Sequence, residues 1–112
     1  MKHRIVLVPF PFDDLSSKKL RPALILTEPV GDHRHVVLAF ITSRTPDILL
    51  ETDIELKTDS KDFAETGLRV ASTIRLHRLM TVSTNIIQRE LGVSPVSVNT
   101  EITDKLRKFF EI

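Results

Sequence analysis

Two polar side chains stand at the ends of apolar stretches, where a strand would hold them still. Arg21 comes directly before Pro22 and the apolar run ALIL, and Thr42 closes the run HVVLAFIT. A residue before proline is biased toward an extended backbone, and proline suits the start of a strand because it has no N–H to donate. If these strands are antiparallel neighbours, the start of one lies beside the end of the other. We therefore expect Arg21 and Thr42 to meet at one rim of a sheet.

A guanidinium and a hydroxyl at one point suit the recognition of a phosphate group. Arginine offers a planar fork matched to two phosphate oxygens, and a threonine hydroxyl can donate to a third. The residues alone leave a structural alternative open, in which Arg21 pairs with an acid and Thr42 only ends its strand.

The charge of the chain is nearly balanced, yet its basic residues are grouped. The formal net charge is +1. Lys18 and Lys19 precede Arg21, and Arg75 and Arg78 recur in a later segment. A locally basic surface attracts phosphates through counterion release even on a near-neutral protein. Charge alone fits solvated loops equally well.

Other chemistries have less support in the sequence. The chain has no cysteine, which excludes disulfides and thiolate metal sites. It also lacks a phosphate-cradling glycine loop, a nucleophile elbow and a zinc-ligand spacing. We interpret His33 and His35 as surface histidines beside a turn, and the pair Asp13 and Asp14 as turn residues, although each pair has the donor type for a metal ion. We therefore expect no metal and no cofactor.

The elements that must position these side chains are short strands followed by helical segments. A chain of 112 residues, 41% hydrophobic and 28% charged, is typical of one globular domain with a modest core. No repeat or linker divides it, so we predict a single domain over 1–112. Strands are predicted at 5–8, 23–26, 35–42 and 53–57, and over 68–74 and 76–82 as two strands or one bent strand.

The last part of the chain has a helical period. Ser83 is predicted to cap a short helix that Gly92 stops and that carries the apolar residues Ile86, Ile87 and Leu91. Ser94 and Pro95 then predict the cap and first position of a second helix. Its apolar stripe comprises Val98, Ile102, Leu106 and Phe109 or Phe110. Strands followed by a terminal helix predict a mostly β (α+β) fold, such as a small β-barrel.

The N-terminal apolar run, MKHRIVLVPFPF, is too short to span a membrane and is interrupted by two prolines. No signal peptide or lipidation motif is visible. The sequence therefore predicts a cytoplasmic location without a membrane partner.

Several segments, taken in chain order, form a set. IVLVPFPFDDLSSKKLRPALILTE contains a strand, a loop and an Arg-Pro strand start, and Ile41-Thr42-Ser43 forms a later strand end. ETGLRVASTIRLHRLMTVS, IIQRELGVSP and the closing helix complete the set. In this order the segments resemble the MazF/PemK family of toxin endoribonucleases, with Gly67, Leu68 and Ser72 in register. The resemblance covers nearly the whole chain.

The resemblance implies a fold, a reaction and partners. Members adopt an SH3-like barrel with helical additions, usually as a homodimer, and a cognate antitoxin protein neutralises them. They cut single-stranded RNA without a metal, leaving a 2′,3′-cyclic phosphate and a 5′-hydroxyl. By position, the catalytic arginine and threonine of the family carry over to Arg21 and Thr42. Contacts to RNA are expected from Lys18, Lys19, Ser43 and Arg44.

Some positions depart from the family pattern. His3-Arg4 replaces the usual Gly-Asp pair, Ser16 to Lys19 replace a common Glu or Gln, and Met80 stands where many members have an arginine. These departures leave the general base unassigned. Ser43 is the main rival of Thr42 for the hydroxyl role, and strand alternation predicts that it points to the opposite face.

Two alternative functions remain open at this point. One is a CcdB-like toxin of the same barrel fold that grips DNA gyrase, and the other is a non-cutting RNA-binding homologue. CcdB-like chains rely on a C-terminal Trp-Gly-Ile, whereas this chain ends in Phe109-Phe110-Glu111-Ile112 and has no tryptophan, which favours the nuclease. Phe10 and Phe12 could stack on bases, but we interpret them as packing residues.

Overall fold

Within the part of the chain that the structure describes, six antiparallel strands form one sheet and one long helix follows them. A computed structural model describes residues 1–10 and 19–112 of the chain. The strands are β1 (Arg4–Phe10), β2 (Lys19–Ile25), β3 (His35–Thr42), β4 (Asp53–Leu56), β5 (Ser72–Ser83) and β6 (Arg89–Val93), and the helix is α1 (Val96–Phe110). Short 3₁₀ turns lie at Phe63–Thr66 and Thr84–Ile86. The sheet order is β4-β5-β3-β2-β1-β6. The predicted mostly β fold with a C-terminal helix is confirmed.

Alternate residues of the central strands bury both faces of the sheet. On β3, Ala39 and Ile41 belong to one core cluster, which Ile102 of α1 joins. Val36 and Leu38 belong to a second cluster on the opposite face, against which Ile86 and Ile87 pack. Because both faces are covered, the central strands have continuous apolar sequences instead of an alternating pattern.

β5 is one bent strand, which confirms one of the two predicted alternatives. Its pairing with β3 shifts register between Ala39 and Phe40, whose partners are Leu79 and Arg75. The residues 76–78 therefore lie between two consecutive positions of β3. Extra residues in one strand bend it and re-aim its side chains. The strand begins at Ser72, so the prediction of a strand from 68 is wrong for its first residues.

The helix predicted after Ser83 is wrong. The chain makes a 3₁₀ turn, in which Ser83 Oγ accepts a hydrogen bond from Asn85 N at 3.2 Å, and then becomes β6. Gln88 N donates to Leu7 O at 2.9 Å, and β6 continues the sheet beside β1. The apolar spacing fits a helix, but pairing with the free backbone groups of β1 overrides this local preference.

The C-terminal helix forms where it was predicted, with a different start. α1 begins at Val96 with Pro95 as the N-cap residue, one position later than expected. The buried Ser94 hydroxyl instead hydrogen-bonds Asn99 Oδ1. The apolar stripe packs on the first core cluster through Leu106, while Phe109 and Phe110 remain half exposed. No helix within the described ranges is long and apolar enough to cross a membrane.

Two glycines bring the two ends of the sheet together. A Cβ added to Gly92 of β6 would lie 2.2 Å from Glu65 O, and one added to Gly67 would lie 1.9 Å from Leu91 O. Gly67 also has a φ of +71°, which disfavours residues with a side chain. The turn that follows β4 at one end of the sheet therefore contacts β6 at the other end. This contact gives the curled, barrel-like shape.

Candidate active site

The strand register brings Arg21 and Thr42 together. β2 and β3 pair through Ala23 with Phe40, Leu24 with Ala39 and Ile25 with Leu38. Extending this antiparallel register by two residues sets Arg21 opposite Thr42. Both residues line one open hollow of about 610 Å³. The sequence-based expectation that they meet at one rim of the sheet is therefore met.

The hollow is basic and rich in hydroxyl groups. Among the residues that the structure describes, no Asp or Glu lines it. Its walls therefore create a positive potential that favours anions. The polar residues that line it are Arg21, Arg44, Arg69, Arg75, Arg78, Thr42, Ser43 and Ser72.

Arg21 is an exposed residue at the third position of β2, directly before Pro22. Within the described part of the chain, no carboxylate lies at ion-pair distance from its guanidinium. The acid-paired alternative for Arg21 is therefore not seen among these residues. Its planar set of donors is available to an anion in the hollow.

The turn after β3 fixes the position of the Thr42 hydroxyl. Thr42 Oγ1 accepts a hydrogen bond from Arg44 N at 3.1 Å, and Arg44 O lies 3.4 Å from the same oxygen. At the longer distance the hydroxyl proton forms only a weak bond, so it remains available to a better acceptor. Because β3 ends at Thr42, strand alternation does not apply to Ser43, which also lines the hollow. Ser43 therefore stays a rival of Thr42 for the hydroxyl role.

One arginine of the wall, Arg75, is held by a buried carboxylate that does not itself line the hollow. The Asp53 side chain is fully buried, and its Oδ1 accepts from Arg75 Nε at 2.9 Å. Its Oδ2 accepts from Leu50 N at 2.9 Å and from Arg75 Nη2 at 3.4 Å. Arg75 is recognisable in the sequence as one of a group of basic residues, but its partner is not. Only the β4–β5 register, which pairs Asp53 with Arg75, would have revealed this partner. No local sequence pattern specifies that register.

Two aromatic rings and an arginine form another part of the wall. The Phe10 and Phe40 rings meet edge to face, with centroids 4.7 Å apart. The Arg78 guanidinium carbon lies 5.8 Å from one centroid and 5.9 Å from the other, within cation–π distance. Phe10 packs against the second core cluster, which confirms the packing interpretation for this residue. Phe12 lies outside the described residues.

The other predicted site residues are distributed as follows. Lys19 is exposed at the start of β2, opposite Phe10, and does not line the hollow. Ser43 and Arg44 line it, whereas Lys18, Asp13 and Asp14 lie outside the described residues.

The histidine pair lies far from this hollow in the fold. His33 and His35 are exposed, with ring centroids 5.9 Å apart. Over residues 1–10 and 19–112, no group of three or more His, Asp or Glu residues is placed to hold a metal ion.

Comparison with known proteins agrees with this architecture. A family model described as "PemK-like, MazF-like toxin of type II toxin-antitoxin system" matches residues 2–110. Among solved structures, the Mycobacterium tuberculosis toxin MazF-mt6 is similar with a TM-score of 0.72, 22% identity and coverage of 97% of each chain.

Two further solved structures have the same fold. A mycobacterial endoribonuclease in complex with its cognate antitoxin has a TM-score of 0.71 and 13% identity, covering 100% of this chain and 95% of its own. MazF from Deinococcus radiodurans has a TM-score of 0.67 and 17% identity, covering 99% of this chain and 96% of its own. No curated protein matches the sequence closely. Because the family model covers nearly every residue, the chain belongs to the PemK-like, MazF-like toxins of type II toxin-antitoxin systems.

Proposed function

We propose that this protein is a toxin that cleaves single-stranded RNA, including mRNA, at the hollow between β2 and β3. The observation that carries the proposal is that Arg21 and Thr42 line the same basic hollow. A guanidinium fork and a fixed hydroxyl on adjacent strands can hold the oxygens of one phosphodiester. A mycobacterial protein with the same fold is an endoribonuclease, which supports the same function for this chain.

The proposed reaction is an internal transfer within the RNA. The 2′-oxygen forms a bond to its own phosphorus while the bond from phosphorus to the 5′-oxygen breaks. The proton lost by the 2′-hydroxyl is balanced by one gained by the leaving 5′-oxygen, so the products are a 2′,3′-cyclic phosphate and a 5′-hydroxyl. DNA lacks the nucleophile and is not cut.

Arg21 and Thr42 act on the charge that develops during this transfer. Negative charge grows on the non-bridging oxygens as the phosphorus gains a fifth ligand. Arg21 donates to these oxygens, and Thr42 donates its hydroxyl proton, from positions that the strands fix in advance. Arg21 also assists proton transfer. Lys18, Lys19, Ser43 and Arg44 contact the adjoining RNA, mainly through phosphates.

Cleavage needs no metal in this proposal. At other phosphodiester sites a metal ion stabilises the charge on the phosphoryl oxygens. Here guanidinium groups and a hydroxyl stabilise that charge.

The proposed partners follow from the family. A cognate antitoxin would occupy the basic hollow with an acidic or apolar tail, and a mycobacterial relative has been solved with its own antitoxin. We further propose that the protein is a homodimer and acts in the cytoplasm, where mRNA is present.

A second candidate function rests on the C-terminus. Phe109, Phe110 and Ile112 are 45%, 54% and 88% exposed, and these apolar side chains would have to replace the Trp-Gly-Ile with which a CcdB-like toxin grips DNA gyrase. That function does not need the basic hollow. A non-cutting homologue would instead keep the hollow and bind RNA without cleaving it.

The deciding experiment compares purified wild-type protein with Arg21→Ala on a long single-stranded RNA. We expect fragments that carry 2′,3′-cyclic phosphate and 5′-hydroxyl ends, and their loss in Arg21→Ala with the fold intact by circular dichroism. Arg89→Ala is the matched control, because Arg89 is an exposed arginine on β6 outside the hollow. Inhibition of gyrase without RNA cleavage would refute the proposal, and RNA binding without cleavage would favour the non-cutting homologue.

A further inference from the structure

We infer that Arg75 is a second phosphate-binding guanidinium and that the buried Asp53 is its positioning residue. Together they would hold the phosphate that neighbours the cleaved bond. The inference rests on the proposed function and concerns two residues to which neither the sequence motifs nor the comparisons assign a role.

Asp53 is built to hold one side chain in place. Its carboxylate is sealed from solvent and accepts two N–H groups from Arg75 and one from Leu50. A buried carboxylate is tolerated only when donors satisfy it, so the Arg75 guanidinium is confined to one geometry. Arg75 therefore loses its side-chain freedom when the protein folds. It does not lose it again on binding a phosphate, as an exposed arginine would.

Arg75 keeps donors free on the side of the hollow. A guanidinium has five N–H groups, and Asp53 uses the one on Nε and one on Nη2. No acceptor among the described residues binds the remaining donors. The Arg75 side chain is still 22% exposed and lines the hollow that contains Arg21 and Thr42. The pair therefore presents a fixed, partly unsatisfied cation to the substrate.

The strand register gives the position of Arg75 relative to the proposed reaction centre. Arg75 pairs with Phe40, and Phe40 pairs with Ala23. Thr42 and Arg21 lie two residues further along the same two strands, on the same face. Two residues of a strand span about 6.6 Å and adjacent strands lie about 4.8 Å apart, so the Cα atom of Arg75 lies roughly 8 Å from that of Thr42, one strand away, and roughly 12 Å from that of Arg21, two strands away. Because these long side chains line one hollow, the Arg75 guanidinium is placed to contact the phosphate next to the one held by Arg21 and Thr42.

A second hollow continues the basic surface in this direction. It has a volume of about 390 Å³, is adjacent to the first, and is lined by three arginines and one carboxylate, that of Asp47. Both hollows are lined by Thr42, Arg44, Arg75 and Arg78, so these side chains stand between them. A polynucleotide that leaves the first hollow on this side passes over Arg75.

The competing explanation is that the pair only links β4 to β5, since Asp53 and Arg75 are register partners. A double variant separates the two roles. Arg75→Gln combined with Asp53→Asn replaces the ion pair with a neutral amide pair that can still hydrogen-bond across the strands. It keeps the link and removes the cation.

The experiment measures thermal unfolding, KM and kcat for cleavage of a long single-stranded RNA, and binding of a single-stranded DNA of the same sequence over a range of salt concentrations. For the double variant we expect a melting temperature near wild type, a KM raised about tenfold and a smaller change in kcat. The slope of log affinity against log salt should fall by about 0.7, the value for one lost phosphate contact on a single strand.

Asp53→Asn alone should raise KM without changing the salt slope, because the Arg75 cation remains but is no longer held in place. Arg89→Gln is the matched control and should change none of these quantities.

A double variant that folds and has the wild-type KM and salt slope would overturn the inference. If the double variant does not fold, Arg75→Lys takes its place. This variant keeps the charge but not the fork, and we expect a KM raised several-fold with the salt slope retained, whereas a wild-type KM would again overturn the inference. A wild-type protein that cuts no RNA would refute the proposed function instead, and the DNA-binding slopes would still test the contact made by Arg75.

Discussion

Removal of the Thr42 hydroxyl gives a sharp test of the proposed chemistry. Thr42→Val keeps the shape of the side chain and removes one donor. The loss of one donor to a developing oxyanion typically costs about 10² to 10³ in turnover, or about 2.7 to 4 kcal/mol. The same change removes the acceptor for Arg44 N, a bond in an exposed turn that contributes about 1 kcal/mol to stability. We therefore expect a large loss of kcat in a protein that is still folded.

Single-turnover cleavage of RNA, measured beside chemical unfolding, separates these two effects. Thr42→Ser should retain most activity, since it keeps both the donor and the acceptor. Thr81→Val is a matched control, because Thr81 is an exposed threonine of β5 that lines neither hollow. Combining Thr42→Val with Arg21→Ala should add little to the loss from Arg21→Ala alone, since groups that act on one phosphate are not additive. If Thr42→Val cleaves RNA at the wild-type rate and Ser43→Ala is inactive, the hydroxyl role belongs to Ser43 and the assignment to Thr42 is refuted.

Three other predictions concern the site and the fold. Arg21→Lys should restore little of the cleavage lost in Arg21→Ala, because a point charge does not reproduce the two-pronged contact; wild-type rates in an RNA cleavage assay would contradict this. Cleavage should continue in excess EDTA, and a loss of activity that magnesium restores would implicate Asp13 and Asp14. Gly67→Ala should lower the free energy of unfolding by about 1 to 3 kcal/mol more than Gly31→Ala does in urea titrations, since the Cβ added at Gly67 would lie 1.9 Å from a backbone oxygen. The two glycines have φ values of +71° and +76°, and no atom lies within 4 Å of a Cβ added at Gly31, so an equal loss in both variants would show that the close contact is unimportant.

The strands that carry the proposed catalytic residues could be predicted because their sequences have the local features of a strand. The runs that became β2 and β3 are apolar, rich in branched side chains and bounded by turn residues. The proximity of Arg21 and Thr42 followed from one further assumption, that consecutive strands pair. That assumption holds for β2 and β3 but does not extend to β6, which pairs with β1.

The features that were missed depend on contacts between distant parts of the chain. Ile86 and Ile87 were interpreted as one face of a longer helix, yet they cover the second core cluster from the end of a short 3₁₀ turn. The sequence indicates no role for Asp53, and only the β4–β5 register shows that it is buried against Arg75. Local periodicity does not encode such pairings, because they depend on which strand edges remain open after the rest of the sheet has formed.

The pairing of β1 with β6 has a consequence for the order in which the protein folds. Arg4 lies opposite Val93, so the first strand to be synthesised completes its hydrogen bonding only after the last strand has emerged. Closing so long a loop is entropically costly and slows folding relative to a protein built from local contacts. During synthesis one edge of β1 is open to pairing with other chains. A chain that stops before residue 89 therefore lacks the strand that protects this edge, and we expect it to aggregate or to be degraded.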